Sequence, residues 1–253
     1  MIRFIGTGKS RTRFIQAPHT AYMNFLIEGI QQAVILLLTG DGETYSAVYA
    51  TVTVSGGSML ASLVIGIPLG FALGYFNFSG RRQVRTVVDT LLALPTVFIG
   101  LLVYAFLSRS GPFGEAGLLF TLTGIAIGQT ILALPIVIAL TAAAIEGLDR
   151  QLRPTLITLG ADRRQLLLSS LWEIRHGVLA AAVTASGRVM TEVGISMMVG
   201  GNIKWHTRTI TTAIAMETNK GEFATGIALG LVLLIIAFAV NLSVSALRKR
   251  ART

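Results

Sequence analysis

Apolar residues run along this chain in long unbroken blocks rather than in alternation. Five blocks carry the pattern: Val48–Phe76, Val84–Leu107, Leu118–Ile145, Gly177–Val199 and Phe223–Leu247. Several exceed the roughly 18 apolar residues that mark a spanning helix, and hydrocarbon offers a backbone no partner but itself, so each block predicts a membrane-spanning helix. The strand alternation over about ten residues that marks a membrane barrel is absent. Pro68, Pro95 and Pro135 stand inside the first three blocks. Each removes a helix hydrogen bond, so kinked helices packed in a bundle are expected. Gly66, Gly70 and Gly74 recur every fourth residue, a small-residue stripe suited to close helix contact, here expected within one subunit rather than at a dimer seam.

Ahead of these blocks, Phe25–Leu38 is apolar over only 14 residues and contains Glu28, Gln31 and Gln32. At 1.5 Å per residue it reaches roughly 21 Å, short of a hydrocarbon core of about 30 Å. Residues 23–43 are therefore expected to form an interfacial amphipathic helix and a loop. Residues 1–22 carry Arg3, Lys9, Arg11 and Arg13 with no apolar period and are expected to be a disordered basic extension. Gly6–Ser10 imitates the end of a phosphate-binding loop, but the motif's first glycine position is Arg3 and no strand precedes it, so nucleotide binding is not expected there. Met23-Asn-Phe-Leu reads as a natural start, which N-terminal sequencing of the native protein would settle.

One polar, arginine-bearing interruption, Leu152–Gly177, separates the third and fourth blocks. Gly160 sits where a helix must stop and turn, and Asp162 with Gln165 three residues on is a capping pair for the next helix. Leu152, Leu156 and Leu159 give one arm an apolar face, and Leu166, Leu167 and Leu171 the other. A helix-turn-helix at a membrane face follows. Pattern alone leaves open whether it is a bare surface hairpin or is offered to a partner.

Composition narrows the class. The chain has 253 residues, 53% hydrophobic and 13% charged, against about a quarter charged in soluble domains, so it is an integral membrane protein. Its net charge of +9 sits at the ends of apolar blocks rather than in aromatic-interleaved patches, which excludes nucleic acid as the partner. The absence of cysteine excludes disulfides and thiolate chemistry, and His19, His176 and His206 are far apart, so no metal site is expected. Twelve Lys and Arg residues, from Arg81 to Arg252, lie in the loops on one side, against Arg109, Lys204, Arg208 and Lys220 on the other. The positive-inside rule makes the first side cytoplasmic, with the Leu152–Gly177 hairpin and the C-terminus on it.

Three constellations could carry function. Arg188 and Glu192 are four residues apart inside an apolar block, on one face of the expected helix. They form either a buried pair locking this span to a neighbour or a charge on a solute pathway. Gly200, Gly201 and Asn202, with Thr207, Arg208, Thr211 and Thr212, supply hydroxyls and backbone N–H groups that could hold an oxyanion or dock a partner protein. Ser58 in Ser55-Gly-Gly-Ser58 is a nucleophile for an intramembrane protease, a weak case because no histidine lies in a span.

Thr158-Leu-Gly-Ala-Asp162 resembles the coupling loop of the membrane subunits of ATP-binding-cassette importers. The loop's ending departs from the usual Leu-Pro: Trp172-Glu-Ile-Arg-His-Gly177 is similar to the tungstate permease branch. Leu94–Tyr104, Gly128–Ile136, Gly187–Gly194, Gly200–Ile203 and Thr207–Ile214 resemble that branch too, so the likeness runs from about Phe25 to the end. It implies an all-α polytopic fold of type I importer kind, with residues 44–253 as the transmembrane domain and 149–176 as its coupling loop. It also implies that Thr158, Leu159, Gly160, Ala161, Asp162, Arg163, Arg164 and Gln165 couple to an ATPase. The expected assembly is a homodimer with two ATPase subunits, which bind ATP and Mg, and an extracytoplasmic oxyanion-binding protein. The expected cargo is tungstate, with molybdate, sulfate or phosphate as alternatives. No cofactor is expected in this chain.

Overall fold

The computed structural model describes residues 28–35, 39, 41–149 and 151–250, with side chains through 243. The expectations for residues 1–22, for the Met23 start and for both ends of Phe25–Leu38 lie outside the described residues. Residues 28–35 are helical.

The chain is all-α. Asp41 starts α1 (Gly42–Tyr75) by accepting hydrogen bonds from the Thr44 N–H (2.8 Å) and hydroxyl (2.7 Å). Then follow α2 (Arg81–Leu91), α3 (Thr96–Leu107), a short 3-10 turn, α4 (Leu122–Glu146), α5 (Leu152–Thr158), α6 (Arg163–Glu173), α7 (Arg175–Met190), α8 (Gly194–Gly200), α9 (Ile210–Lys220) and α10 (Phe223–Arg250). Three helices, α1, α4 and α10 over Phe223–Ser243, are long and apolar enough to cross a bilayer unaided. Two bent pairs, α2 with α3 and α6 with α7, have the combined length and hydropathy of a span, so among the described residues the count is three, or up to five where each bent pair is taken as one.

The glycine stripe of α1 packs inside the subunit. A Cβ added at Gly66 would meet Val137, one at Gly70 would lie 2.6 Å from the Ile138 carbonyl oxygen, and one at Gly74 would be 2.8 Å from that of Ala142. All three partners are on α4, so the missing side chains let two backbones close. Pro68 and Pro135 sit within unbroken helices.

Two of the five expected spans differ. Val84–Leu107 is not one kinked helix: α2 and α3 meet at 99°. Pro95 removes an N–H and disfavours helix at Leu94, and α2 is too charged to follow α3 into hydrocarbon. Arg81 pairs with Glu146 at 2.8 Å and donates through Nε to the Leu73 carbonyl of α1 at 2.8 Å, while Arg85 reaches Glu146 at 3.4 Å and Asp89 at 3.3 Å. The α2 arginines thus tie the ends of α1 and α4 together.

Gly177–Val199 is also two helices. The chain leaves α7 after Met190 and re-enters at Gly194. Thr191 bonds its hydroxyl back to the Gly187 carbonyl (3.0 Å), and the Glu192 carboxylate accepts from the Ile195 N–H (3.0 Å), starting a new helix instead of continuing the old one. Behind the break, Ala185 and Val189 pack on Ala133 and Val137 of α4. Beyond it, Ile195 and Val199 of α8 join Ile99 and Val103 of α3 and Leu132 of α4.

Residues 28–35 lean on the start of α10. Gln32 donates to the Thr225 hydroxyl at 3.2 Å, and a Cβ at Gly29 would come within 2.6 Å of Ile227.

Candidate functional site

At the arginine-rich end, α5 and α6 form a hairpin whose turn is set by local hydrogen bonds. Gly160 takes φ +82°; its N–H donates to the Ile157 carbonyl and that of Ala161 to the Leu156 carbonyl, both at 3.0 Å. This is a Schellman stop, which needs a left-handed residue where Gly160 stands. One residue later α6 starts on a reciprocal cap. Asp162 accepts from the Gln165 N–H at 2.7 Å while the Gln165 side chain accepts from the Asp162 N–H at 2.8 Å. Thr158, Leu159, Gly160, Asp162, Arg163, Arg164 and Gln165 are exposed and Ala161 half-buried, so the tip projects from the bundle. Leu159 is 77% and Trp172 67% exposed. Arg175 lies over the Trp172 ring at 4.9 Å.

At the opposite end, the sequence-named threonines are buried and bonded to backbone groups and to Thr209. Thr207, buried completely, donates to the Gly200 carbonyl at 2.5 Å and accepts from the Ile203 N–H at 3.1 Å. Thr209 and Thr212 cap α9 reciprocally, and Thr211 donates to the Glu192 carbonyl at 3.0 Å. Thr51 of α1 accepts from the Ile210 N–H at 2.9 Å. These hydroxyls make their hydrogen bonds inside the fold. Gly200 is buried, Gly201 turns the chain at φ +69°, and Asn202, at φ +50°, accepts from Arg208 Nε at 3.3 Å. Arg208 also ion-pairs with Glu43, which Lys204 reaches at 2.6 Å. A hollow of about 420 Å³ opens beside this knot between Asp41, Lys204, Arg208, Glu217 and Lys220. Asp41's carboxyl is held below its ordinary value, first by the Thr44 hydroxyl and then by the Thr44 N–H.

Arg188 and Glu192 do not form the expected pair. The break at Thr191 puts them off a common helix face: Glu192 is 3% exposed and caps α8, whereas Arg188 is exposed on α7. No ion pair joins them among the described residues.

Sequence reasoning passed over one buried polar chain. Ser58 of α1 lies 3.3 Å from Gln129 Oε1 on α4, and Gln129 Nε2 is 3.4 Å from Ser196 of α8; all three are buried. Ser58, weighed above as a nucleophile, spends its hydroxyl on Gln129 and the Ser55 carbonyl. A glutamine within an apolar run was the available signal.

Long apolar helices packed in a bundle, with one hairpin projecting from it, define a polytopic membrane protein. Residues 66–253 match the family described as binding-protein-dependent transport system inner membrane component, and the chain belongs to it: a multi-pass inner-membrane permease subunit of an ATP-binding-cassette importer, not an enzyme. Among its relatives, the tungstate uptake system permease protein TupB of Campylobacter jejuni is 45% identical over 87% of this chain and 92% of its own. The protein of the same name from Peptoclostridium acidaminophilum is 37% identical over 90% and 100%. The fold is that of solved importers: a chain of the MetNI methionine transporter matches with TM-score 0.69, covering 83% of this chain and 96% of that one at 18% identity. A chain of a bacterial alginate transporter matches with TM-score 0.72, covering 92% and 88% at 20% identity.

Proposed function

We propose that this chain is the tungstate-translocating permease of its importer. The observation that carries it is 45% identity to a tungstate uptake permease across nearly the whole of both chains. The working unit in this reading is a homodimer with two ATPase subunits and an extracytoplasmic binding protein that delivers the oxyanion. The hairpins, on the cytoplasmic side with the C-terminus by the charge asymmetry, seat on the ATPases through Leu159, Gly160 and their neighbours. ATP-driven closure of the ATPases draws the hairpins together and opens the passage outward; hydrolysis and product release reset it inward. The hairpin is short, capped at both sides of Gly160 and apolar at its tip, which suits transmission of a push. Residues 28–35, resting on the start of α10, lie at the outer interface in this reading.

The test is the purified complex in lipid, with ATPase rate measured against binding protein loaded with tungstate, molybdate or sulfate. Stimulation greatest with tungstate is expected. Equal stimulation by all three, or by sulfate alone, refutes tungstate as the cargo.

A further inference from the structure

The break after Met190 leaves an unusual face on α7. Thr184, Gly187, Arg188 and Thr191 are all exposed, and their spacing puts them on one side. They line a hollow of about 550 Å³ together with Leu92, at the α2–α3 bend, and Ile136 and Leu140 of α4. Those α4 residues lie well inside a 25-residue spanning helix, so the hollow is at membrane depth. Arg188 is thirteen residues beyond Arg175, which at 1.5 Å per residue is about 20 Å along α7 from the hairpin end.

A guanidinium at that depth cannot rest against lipid, and here it carries no hydrogen bond or ion pair among the described residues. The exposed face of α10 at Leu234, Ile235 and Phe238 is apolar by contrast. Thr184 and Thr191 spend their hydroxyl protons on the Ala180 and Gly187 carbonyls, leaving oxygen lone pairs free for water. Gly187 adds no side chain, and a Cβ placed there would meet nothing within 4 Å. The face is open and positively charged.

We propose that it is one wall of a hydrated passage for the oxyanion, that Arg188 is the cation the anion meets midway, and that the same face of a second copy is the other wall. This rests on the chain being an oxyanion permease. A tetrahedral oxyanion passes with part of its water shell, its charge answered by Arg188 rather than by a closed cage, so it binds weakly enough to leave.

The chain has no native cysteine, so single cysteines report directly. In the assembled complex in vesicles, Gly187→Cys and Thr191→Cys are treated with a charged, water-soluble thiosulfonate beside Leu234→Cys, with labelling counted above the complex lacking the new cysteine. Fast labelling of the first two, slowed by millimolar tungstate or molybdate, is the expected result. Labelling no faster than Leu234→Cys overturns the passage.

Transport gives a second readout. A Cβ at Gly187 meets nothing within 4 Å, so Gly187→Leu projects into the hollow, where it is harmless against lipid and obstructive in a passage. A loss of tungstate uptake by about ten- to a hundredfold is expected for Arg188→Gln, the range for one charge-assisted hydrogen bond, with Arg188→Lys retaining more than Arg188→Gln and with Gly187→Leu also reducing uptake by obstruction. Wild-type uptake by Gly187→Leu overturns the proposal. If the unsubstituted complex takes up none of tungstate, molybdate, sulfate and phosphate, the oxyanion reading itself falls, independently of the labelling.

Discussion

Replacing Gly160 separates the shape of the hairpin turn from everything around it. A Cβ at this position would meet nothing within 4 Å, so a substitution makes no clash, and its cost is that of holding φ +82°. For an L-residue with a side chain that cost is roughly 1–2 kcal/mol; asparagine pays least of it because its side chain bonds locally. The strain falls on two hydrogen bonds, from Gly160 and Ala161 to Ile157 and Leu156, which fix the angle between α5 and α6. If docking needs that angle, a cost of this size lowers the fraction of competent hairpins by a factor of about 5–30. Gly160→Val is therefore expected to cut uptake by that factor while stimulated ATPase activity falls less, with Gly160→Asn close to wild type. The assay is uptake and ATPase rate in the same vesicles, with thermal unfolding of the permease as control. Wild-type uptake by Gly160→Val refutes the coupling role, and equal losses in Val and Asn refute the backbone explanation.

Three further outcomes can be checked by unfolding measurements in detergent. Gly70→Leu drives a side chain into the Ile138 backbone and is expected to cost at least 1–3 kcal/mol, with Gly56→Leu, which meets nothing within 4 Å, near neutral; equal effects refute the α1–α4 packing. Asp41→Ala is expected to cost about 1 kcal/mol at neutral pH and Asp41→Asn much less. Because Asp41's carboxyl is lowered from 3.8 in the folded state, the charge-dependent part of its contribution is complete above that value, weakens as pH falls past it and is gone below the lowered folded-state value. An Ala–wild-type difference that does not shrink at all over that range contradicts an ionised cap. A double-mutant cycle on Glu43 and Arg208 should give about 0.5–1 kcal/mol, since Glu43 is 36% exposed and water screens the pair; a coupling of zero removes this contact as an anchor between α1 and the α8–α9 loop.

What could be read from the chain alone was whatever is decided within a few residues. Hydropathy determined an all-helical membrane protein, because lipid leaves a backbone no alternative to helix. The hairpin, its stop at Gly160 and its restart at Asp162 were equally legible, since caps join groups three to five positions apart. Function came from resemblance across the chain, not from any one residue's chemistry.

Tertiary structure decided the rest. Pro68, Pro95 and Pro135 look alike in sequence, yet two lie in continuous helices and one marks a 99° bend. The difference is what precedes Pro95: the charges of α2 find partners at the ends of α1 and α4 and cannot follow α3 into hydrocarbon. Thr207, Thr211 and Thr212 read in sequence as free hydroxyls, and the fold buried them against backbone groups and Thr209. Arg188 and Glu192 read as a pair because a continuous helix would stack them. The break at Thr191 buried one as a helix cap and left the other facing open space, for a run of apolar residues has a length but no sides until other helices pack against it.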